Sequence, residues 1–197
     1  MLCFPERRYK MKKELKDYSG PYKHNLKWED FSKEFLVKLM KSWQGAYLGI
    51  QGAWIQAVSE KFGSDTADDC ALQALLLQAD RMIPVWVELG NIKLNTVLDS
   101  LKTIQLAPDG HTESELFGGE VDIKSPNHVI STTTKCITCE FLEAFAPEKI
   151  QQLCYKMEQP VMERFLHNPK IKVTPLERPP RKSTKEPFCR WELKIEE

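Results

Sequence analysis

Four cysteines in the second half of the chain are the residues whose type and spacing best suit chemistry. Cys136 and Cys139 form a Cys-x-x-Cys pair, and Cys154 and Cys189 follow. Such a pair can bind one metal ion, and two more thiolates would complete a tetrahedral site. We therefore expect zinc or iron if the cluster holds a cofactor, and otherwise none. A zinc ribbon, however, has a second close cysteine pair, which this chain lacks.

The surroundings of the Cys-x-x-Cys pair leave other roles open. The β-branched run predicts a strand from Val129 to Ile137, so that the pair closes a strand and does not begin a helix. A redox or nucleophilic pair with a lowered thiol pKa is one alternative. Thiols buried as small apolar side chains are another. The sequence does not choose among these three roles.

A second candidate site lies on a long predicted helix. Gly45, Gly49 and Gly52, the glycine stripe, are about one turn apart. Each interior glycine costs about 1 kcal/mol relative to alanine, so we expect another helix, a second chain or a flat ligand to approach the stripe closely. Aromatic side chains, some of them expected beside the stripe, would line a ligand pocket. They are Trp43, Tyr47, Trp54, Trp86 and Trp191.

Hydrophobic periodicity predicts an α+β fold. Apolar residues every three or four positions predict a helix from about Ser32 to Phe62, a second from near Asp65 that Pro84 should kink or break, and a shorter third. Strands are predicted at residues 120–124, 129–137, 171–176 and 188–195, and a fourth helix should start near Pro147. The order ααα-ββ-α-ββ predicts N-terminal helices followed by a small antiparallel sheet of about four strands, with helices on one face.

Length, net charge and hydrophobic pattern indicate how the chain is organised and which partners to expect. We expect an N-terminal arm, residues 1–27, and one domain, residues 28–197, with a helical half at 28–107 and a sheet half at 111–197. Net charge is zero, so no overall field attracts nucleic acid, and no apolar run reaches the length of a membrane span. Without a signal-peptide pattern either, we expect a cytoplasmic protein with reduced cysteines and with neither nucleic-acid nor membrane partners.

Several short motifs resemble an uncharacterised bacterial and archaeal family, catalogued as a domain of unknown function. The motifs span about residues 45 to 195 and are Gly52-Ala-Trp54, Val58 to Gly63, Ala67, Lys135-Cys136, Cys154, Pro179-Pro180 and Phe188-Cys189-Arg-Trp191-Glu-Leu. The family often has a further cysteine just before the two prolines. This chain has Glu177 and Arg178 there, and Cys139 is additional.

The closing Cys-x-Trp strand is also similar to the end of the aminothiazoline-carboxylate hydrolase family and to vinyl-reductase-like ligand-binding domains. These resemblances imply an α+β ligand-binding scaffold, with hydrolysis of a C–N or C–S bond in the first case. They also imply functional roles for Cys136, Cys154, Cys189 and Trp191.

We therefore expect a small-molecule-binding protein, and the sequence leaves open whether it is an enzyme. A hydrolase-like enzyme would use Cys136, Cys154 or Cys189 as a nucleophile beside the aromatic pocket. In the metal-dependent version, these three and Cys139 would be ligands. The alternative is a non-catalytic interaction module with structural cysteines, in which the glycine stripe packs against a second copy in a homodimer.

Overall fold

The computed structural model describes residues 14–108, 110 and 117–196. The chain divides into two compact units, Met1–Ile50 and Gln51–Glu197, and the boundary falls inside the first helix, α1 (Lys33–Phe62). Residues 1–13 of the predicted arm lie outside the described residues, as do residues 111–116 of the predicted sheet half.

In the first unit, the segment before α1 packs around Phe31. The main chain of Leu15 forms an isolated bridge to Phe31, after which the chain enters α1. Phe31 is buried and stacks on Phe35, with the two ring centroids 4.5 Å apart. The Ser32 hydroxyl accepts a hydrogen bond from the Phe35 N–H at 3.2 Å, so Ser32 satisfies one of the free donors at the start of the helix.

The second unit contains the other predicted helices of the first half. Gly63, with φ at 90°, separates α1 from α2 (Ser64–Leu89), and α3 (Val97–Leu106) follows. The helix α2 continues through Pro84, so a break there, one of the two predicted outcomes, does not occur. Proline removes one main-chain hydrogen bond, but Ile83 and Trp86 on either side of it are buried, and their packing holds the helix together.

The sheet has four strands in the order β1-β2-β4-β3, and every neighbouring pair is antiparallel. This arrangement, with helices preceding the strands, confirms the predicted α+β fold. The strands are β1 (Phe117–Ser125), β2 (His128–Cys136), β3 (Ile171–Glu177) and β4 (Cys189–Ile195).

Between β2 and β3 the chain is more helical than the sequence predicts. The strand β2 ends at Cys136 and α4 (Ile137–Phe145) follows at once, so the prediction that the strand includes Ile137 and that the cysteine pair begins no helix is wrong. A 3-10 turn leads to α5 (Ile150–Leu153), and α6 (Gln159–Leu166) completes the predicted fourth helix. A π-helical turn, Cys154–Glu158, joins α5 to α6.

Two hydrophobic clusters form the core of the second unit. α3 packs on β2 and β4, and α6 packs on β3, which places both helices on the same face of the sheet. The cluster between these helices and the sheet contains Val97, Val129, Leu166, Ile171, Val173, Cys189, Trp191 and Leu193. The cluster between α2 and α6 contains Ala79, Ile83, Trp86, Ala107 and Phe165. Within the described part of the chain, no helix combines the length and apolarity needed to cross a bilayer.

Replacing Leu193 by alanine should test how far stability depends on the sheet cluster. Leu193 is 1% exposed, so Leu193→Ala leaves a cavity and should lower the free energy of unfolding by about 2–5 kcal/mol. Leu176→Ala is the matched control, because Leu176 lies on β3 but is 46% exposed. Urea denaturation followed by circular dichroism measures both, and equal losses would show that the cluster is not the main core.

Candidate functional site

The structure brings three of the four predicted cysteines together around the start of α4. Cys136 ends β2, Cys139 lies in the first turn of α4, and Cys154 begins the π-helical turn. We call these three residues the thiol cluster. Cys189, the fourth, is buried in the sheet cluster opposite Thr133 of β2.

Cys136 is the N-cap residue of α4. Its extended backbone ends the strand, and its sulfur accepts a hydrogen bond from the Cys139 N–H at 3.4 Å. The first turn of a helix has N–H groups without main-chain acceptors, and they carry a partial positive charge. A cysteine at this position accepts a hydrogen bond from one of these N–H groups through its sulfur. The hydrogen bond and the partial positive charge stabilise the thiolate more than the thiol.

Cys139 lies between the other two sulfurs of the thiol cluster. It is buried, and its sulfur is 3.6 Å from that of Cys154. This contact follows from the packing of α5, which ends just before Cys154, against α4. The sulfur atoms are close enough that a small side-chain movement would bring them to the bonding distance of a disulfide.

Hydrogen bonds within the thiol cluster shift the pKa values of Cys136 and Cys139 in opposite directions. The bond from the Cys139 thiol, together with main-chain N–H groups, lowers the pKa of Cys136, against burial and the negative charge of Glu158. The pKa of Cys139 is raised, first because its proton is held in hydrogen bonds to Cys136 and Cys154, and then because it is buried. Of these two cysteines, Cys136 is therefore the one that more readily becomes a thiolate.

The thiol of Cys189, unlike that of Cys136, has a raised pKa. Burial raises the pKa of its thiol to about 11, and the charge of Glu158 acts in the same direction. At neutral pH Cys189 is a protonated core side chain, which agrees with its place between strand and helices.

Arg178 connects the π-helical turn to β4. Its guanidinium lies 4.6 Å from the ring centroid of Tyr155 and 5.2 Å from that of Trp191, and it donates a hydrogen bond to Gln159 Oε1 at 2.7 Å. The turn that carries Cys154 is thereby tied to the strand that carries Cys189. Cation–π contacts and a hydrogen bond hold this positive charge in place.

Tyr155, Glu158 and Arg178 are not among the site residues that the sequence predicts. Arg178 is one of the two residues before Pro179-Pro180, where the resembling family often has a cysteine. Tyr155 and Glu158 follow Cys154 closely in sequence, so their spacing from a candidate cysteine was the available signal. Their positions depend on the π-helical turn, for which the sequence has no clear signature.

The predicted aromatic residues are distributed over different parts of the structure. Trp86 and Trp191 are buried in separate core clusters. On α1, Trp43 is 51% and Trp54 42% exposed, and Tyr47 is half-buried. The role of these five side chains in ligand binding stays a prediction.

The glycine stripe and the aromatic residues of α1 lie on opposite sides of that helix, because an α-helix turns by about 100° per residue. The expectation that the aromatic residues lie beside the stripe is therefore wrong. A Cβ atom built on Gly45, Gly49 or Gly52 would meet no atom within 4 Å in the described chain. Within that part of the chain, the expected close approach to the stripe is not found.

A concavity of about 320 Å³ lies at the end of β2 remote from Cys136. It is lined by Ser125, Asn127, His128, Lys194, Ile195 and Glu196. Its lining is mostly polar and includes none of the predicted site residues. The imidazole of His128 is 2.8 Å from a carboxylate oxygen of Glu192, which fixes the ring beside the concavity.

Among the residues that the structure describes, no three His, Cys, Asp or Glu side chains are arranged to hold a metal ion. Zinc or iron binding by the four cysteines remains a prediction. Neither a protein-family model, nor a curated protein, nor a solved structure matches the chain. The resemblance to the uncharacterised family and to the hydrolases therefore also remains a prediction.

The order in which the cysteines react with iodoacetamide should follow these pKa values. Cys136 should be alkylated with a pH midpoint below 9.0, the ordinary value for a cysteine, because its thiolate accepts hydrogen bonds at the helix start. Cys189 should react only when the protein unfolds. Peptide mapping by mass spectrometry measures each site separately. A midpoint for Cys136 at or above the ordinary value would contradict this account.

Glu158→Gln should lower the pKa of Cys136 further. The substitution removes a negative charge that now disfavours the thiolate, so the pH midpoint of Cys136 alkylation should move down. Glu148→Gln is the matched control, because Glu148 is an exposed acid on the neighbouring 3-10 turn and is not among the main influences on Cys136. Equal shifts in the two variants would mean that a general change of charge is responsible.

Proposed function

We propose that this protein performs thiol–disulfide exchange, with Cys136 as the attacking thiolate and Cys139 as the resolving thiol. The observation that carries the proposal is the placement of the Cys136 sulfur at the N-cap of α4, hydrogen-bonded to the N–H of Cys139. A Cys-x-x-Cys pair at a helix start favours a thiolate on its first cysteine.

In the first step, the Cys136 thiolate attacks one sulfur of an organic disulfide. An S–S bond forms between Cys136 and that sulfur, the original S–S bond breaks, and its second sulfur leaves as a thiolate that takes up a proton. The half-buried position of Cys136 leaves it the more accessible of the pair, since Cys139 is buried.

In the second step, Cys139 loses its proton and attacks the sulfur of Cys136. A Cys136–Cys139 disulfide forms, and the remaining half of the substrate leaves as a thiolate that is then protonated. Two electrons have passed from the two protein thiols to the external disulfide. The reverse sequence oxidises a dithiol substrate, so the direction depends on the reduction potentials of the two partners.

The electrostatics of the thiol cluster support this order of events. In the resting protein, the hydrogen bond to Cys136 and the negative charge of its thiolate help to raise the pKa of Cys139. The mixed disulfide has no charge on Cys136, so this influence disappears when the first step is complete. Cys139 then becomes easier to deprotonate at the stage when it must attack.

Cys154 supplies a third thiol that can accept the disulfide. Its sulfur is 3.6 Å from that of Cys139, so a Cys154 thiolate can attack Cys139, form a Cys139–Cys154 disulfide and release Cys136 as a thiolate. This rearrangement is an exchange within the protein and consumes no external oxidant. It would return Cys136 to its reactive form while the protein stays oxidised.

The small-molecule-binding protein expected from the sequence is compatible with this proposal when the small molecule is itself a disulfide or a thiol. The hydrolase-like role stays a separate prediction. The interaction module also stays a prediction, and one observation favours it: α1 has thirty residues and none of them is buried.

Reaction with glutathione disulfide tests the proposal. The reduced protein should form one intramolecular disulfide and release two glutathione molecules. Cys136→Ser should react at least roughly tenfold more slowly, because the thiol with the lowered pKa is lost. Cys139→Ser should stop at a mixed disulfide between glutathione and Cys136, which intact-mass spectrometry and peptide mapping identify. Cys70→Ser is the control and should behave as the wild type, because Cys70 on α2 is outside the cluster.

Two results would contradict the proposal. One is a Cys136→Ser variant that forms the disulfide as fast as the wild type. The other is stoichiometric zinc or iron with four protected thiols in protein purified without oxygen, which would favour the metal site predicted from the sequence. Elemental analysis and a thiol count on one sample separate this second result from simple inactivity.

A further inference from the structure

Arg178 carries a half-buried positive charge that no acid of the described chain neutralises. Its guanidinium donates one hydrogen bond, to Gln159 Oε1, and its Nε atom is buried without a hydrogen-bond partner. None of the ion pairs within the described residues includes it. A guanidinium has several N–H donors, and a charge taken out of water is costly unless it is paired. An anion from outside the chain would supply the missing partner.

Two acids lie close to Arg178 in the fold, and neither forms an ion pair with it. Glu177, which precedes it, pairs instead with Arg190 at 3.0 Å. Glu158 belongs to the π-helical turn, and its negative charge raises the pKa of Cys136. The same charge repels an anion that approaches Cys136. An anionic substrate therefore needs a positive group beside the turn, and Arg178 is placed to provide it.

Two aromatic rings hold the guanidinium of Arg178 in one orientation. The ring of Trp191 is 1% exposed and belongs to the core, whereas that of Tyr155 is 44% exposed. Arg178 therefore lies at the edge of the core, between a buried ring and one that reaches the surface. A planar guanidinium fixed in this way loses little side-chain entropy when it binds a carboxylate through two parallel hydrogen bonds.

The π-helical turn brings Arg178 near the thiol cluster. The turn begins at Cys154, whose sulfur is 3.6 Å from that of Cys139, and it ends at Glu158, whose charge acts on Cys136. Helical residues rise by about 1.5 Å each, so the five residues of the turn span roughly 6 Å. A small molecule can therefore contact the guanidinium with one end while its other end lies at the cluster.

We propose that Arg178 binds a carboxylate of the substrate, so that the protein selects small disulfides that carry a carboxylate. This inference rests on the thiol–disulfide exchange proposed for the thiol cluster and names its substrate class. The carboxylate accepts hydrogen bonds from the guanidinium and takes no part in the transfer of electrons. Its binding positions a substrate sulfur at Cys136, and Glu158 disfavours anions that lack this contact.

Three small disulfides of similar length test this specificity on the unmodified chain. Dithiodipropionate carries two carboxylates, hydroxyethyl disulfide is neutral and cystamine is cationic. Each rate of oxidation of the reduced protein is divided by the rate of the same disulfide with free mercaptoethanol, which removes differences in intrinsic reactivity. After this correction, dithiodipropionate should react at least roughly tenfold faster than hydroxyethyl disulfide, because only its carboxylate can bind the guanidinium.

Arg178→Met removes the charge and keeps an apolar side chain beside Trp191. The preference for dithiodipropionate over hydroxyethyl disulfide should fall roughly tenfold, mainly through a higher KM for dithiodipropionate. Arg178→Lys keeps the charge without the planar group and should retain part of the preference. Arg164→Met is the matched control, because Arg164 is an exposed arginine of α6 paired with Asp80, and it should leave the preference within about twofold of the wild type.

Equal corrected rates for dithiodipropionate and hydroxyethyl disulfide would overturn the carboxylate specificity, and so would a preference for cystamine. Both results come from the wild type, so they hold even if Arg178→Met does not fold. An equal loss of preference in Arg164→Met and Arg178→Met would assign it to general charge and not to a bound carboxylate. No reaction with any of the three disulfides would contradict the exchange reaction itself, and the specificity with it, which distinguishes the two failures.

Discussion

Burial of one face of β4 is the constraint on which the rest of the structure depends. Side chains in a strand alternate between faces, so Cys189, Trp191 and Leu193 all point into the same core. A register slip of one residue would turn this apolar row towards solvent. The pairing of β4 with β2 is therefore strongly specified. That pairing in turn sets the register of β2, which continues three residues past Thr133, its last partner of β4, and ends at Cys136.

The junction between β2 and α4 uses one interaction for both folding and reactivity. A helix start needs an acceptor for its free N–H groups, and oxygen side chains usually provide it. Here the sulfur of Cys136 does so, and the same hydrogen bond that starts the helix also stabilises a thiolate. A serine at this position would retain a capping acceptor and lose the nucleophile. Replacing the sulfur of Cys136 by oxygen therefore separates the contribution of this residue to stability from its contribution to reactivity.

Hydrophobic periodicity and turn residues made much of the fold predictable from the sequence. The parts that depend on contacts between distant residues were not predictable. The helix that ends before Gly63 and the alternating strands are encoded by periodicity and turn residues. The start of α4 was missed because Ile137 and Thr138 continue a β-branched run, and the capping thiol decides the outcome. The proximity of cysteines could be expected from the sequence, but the contact between Cys139 and Cys154 depends on how α5 packs against α4, which no local sequence pattern specifies.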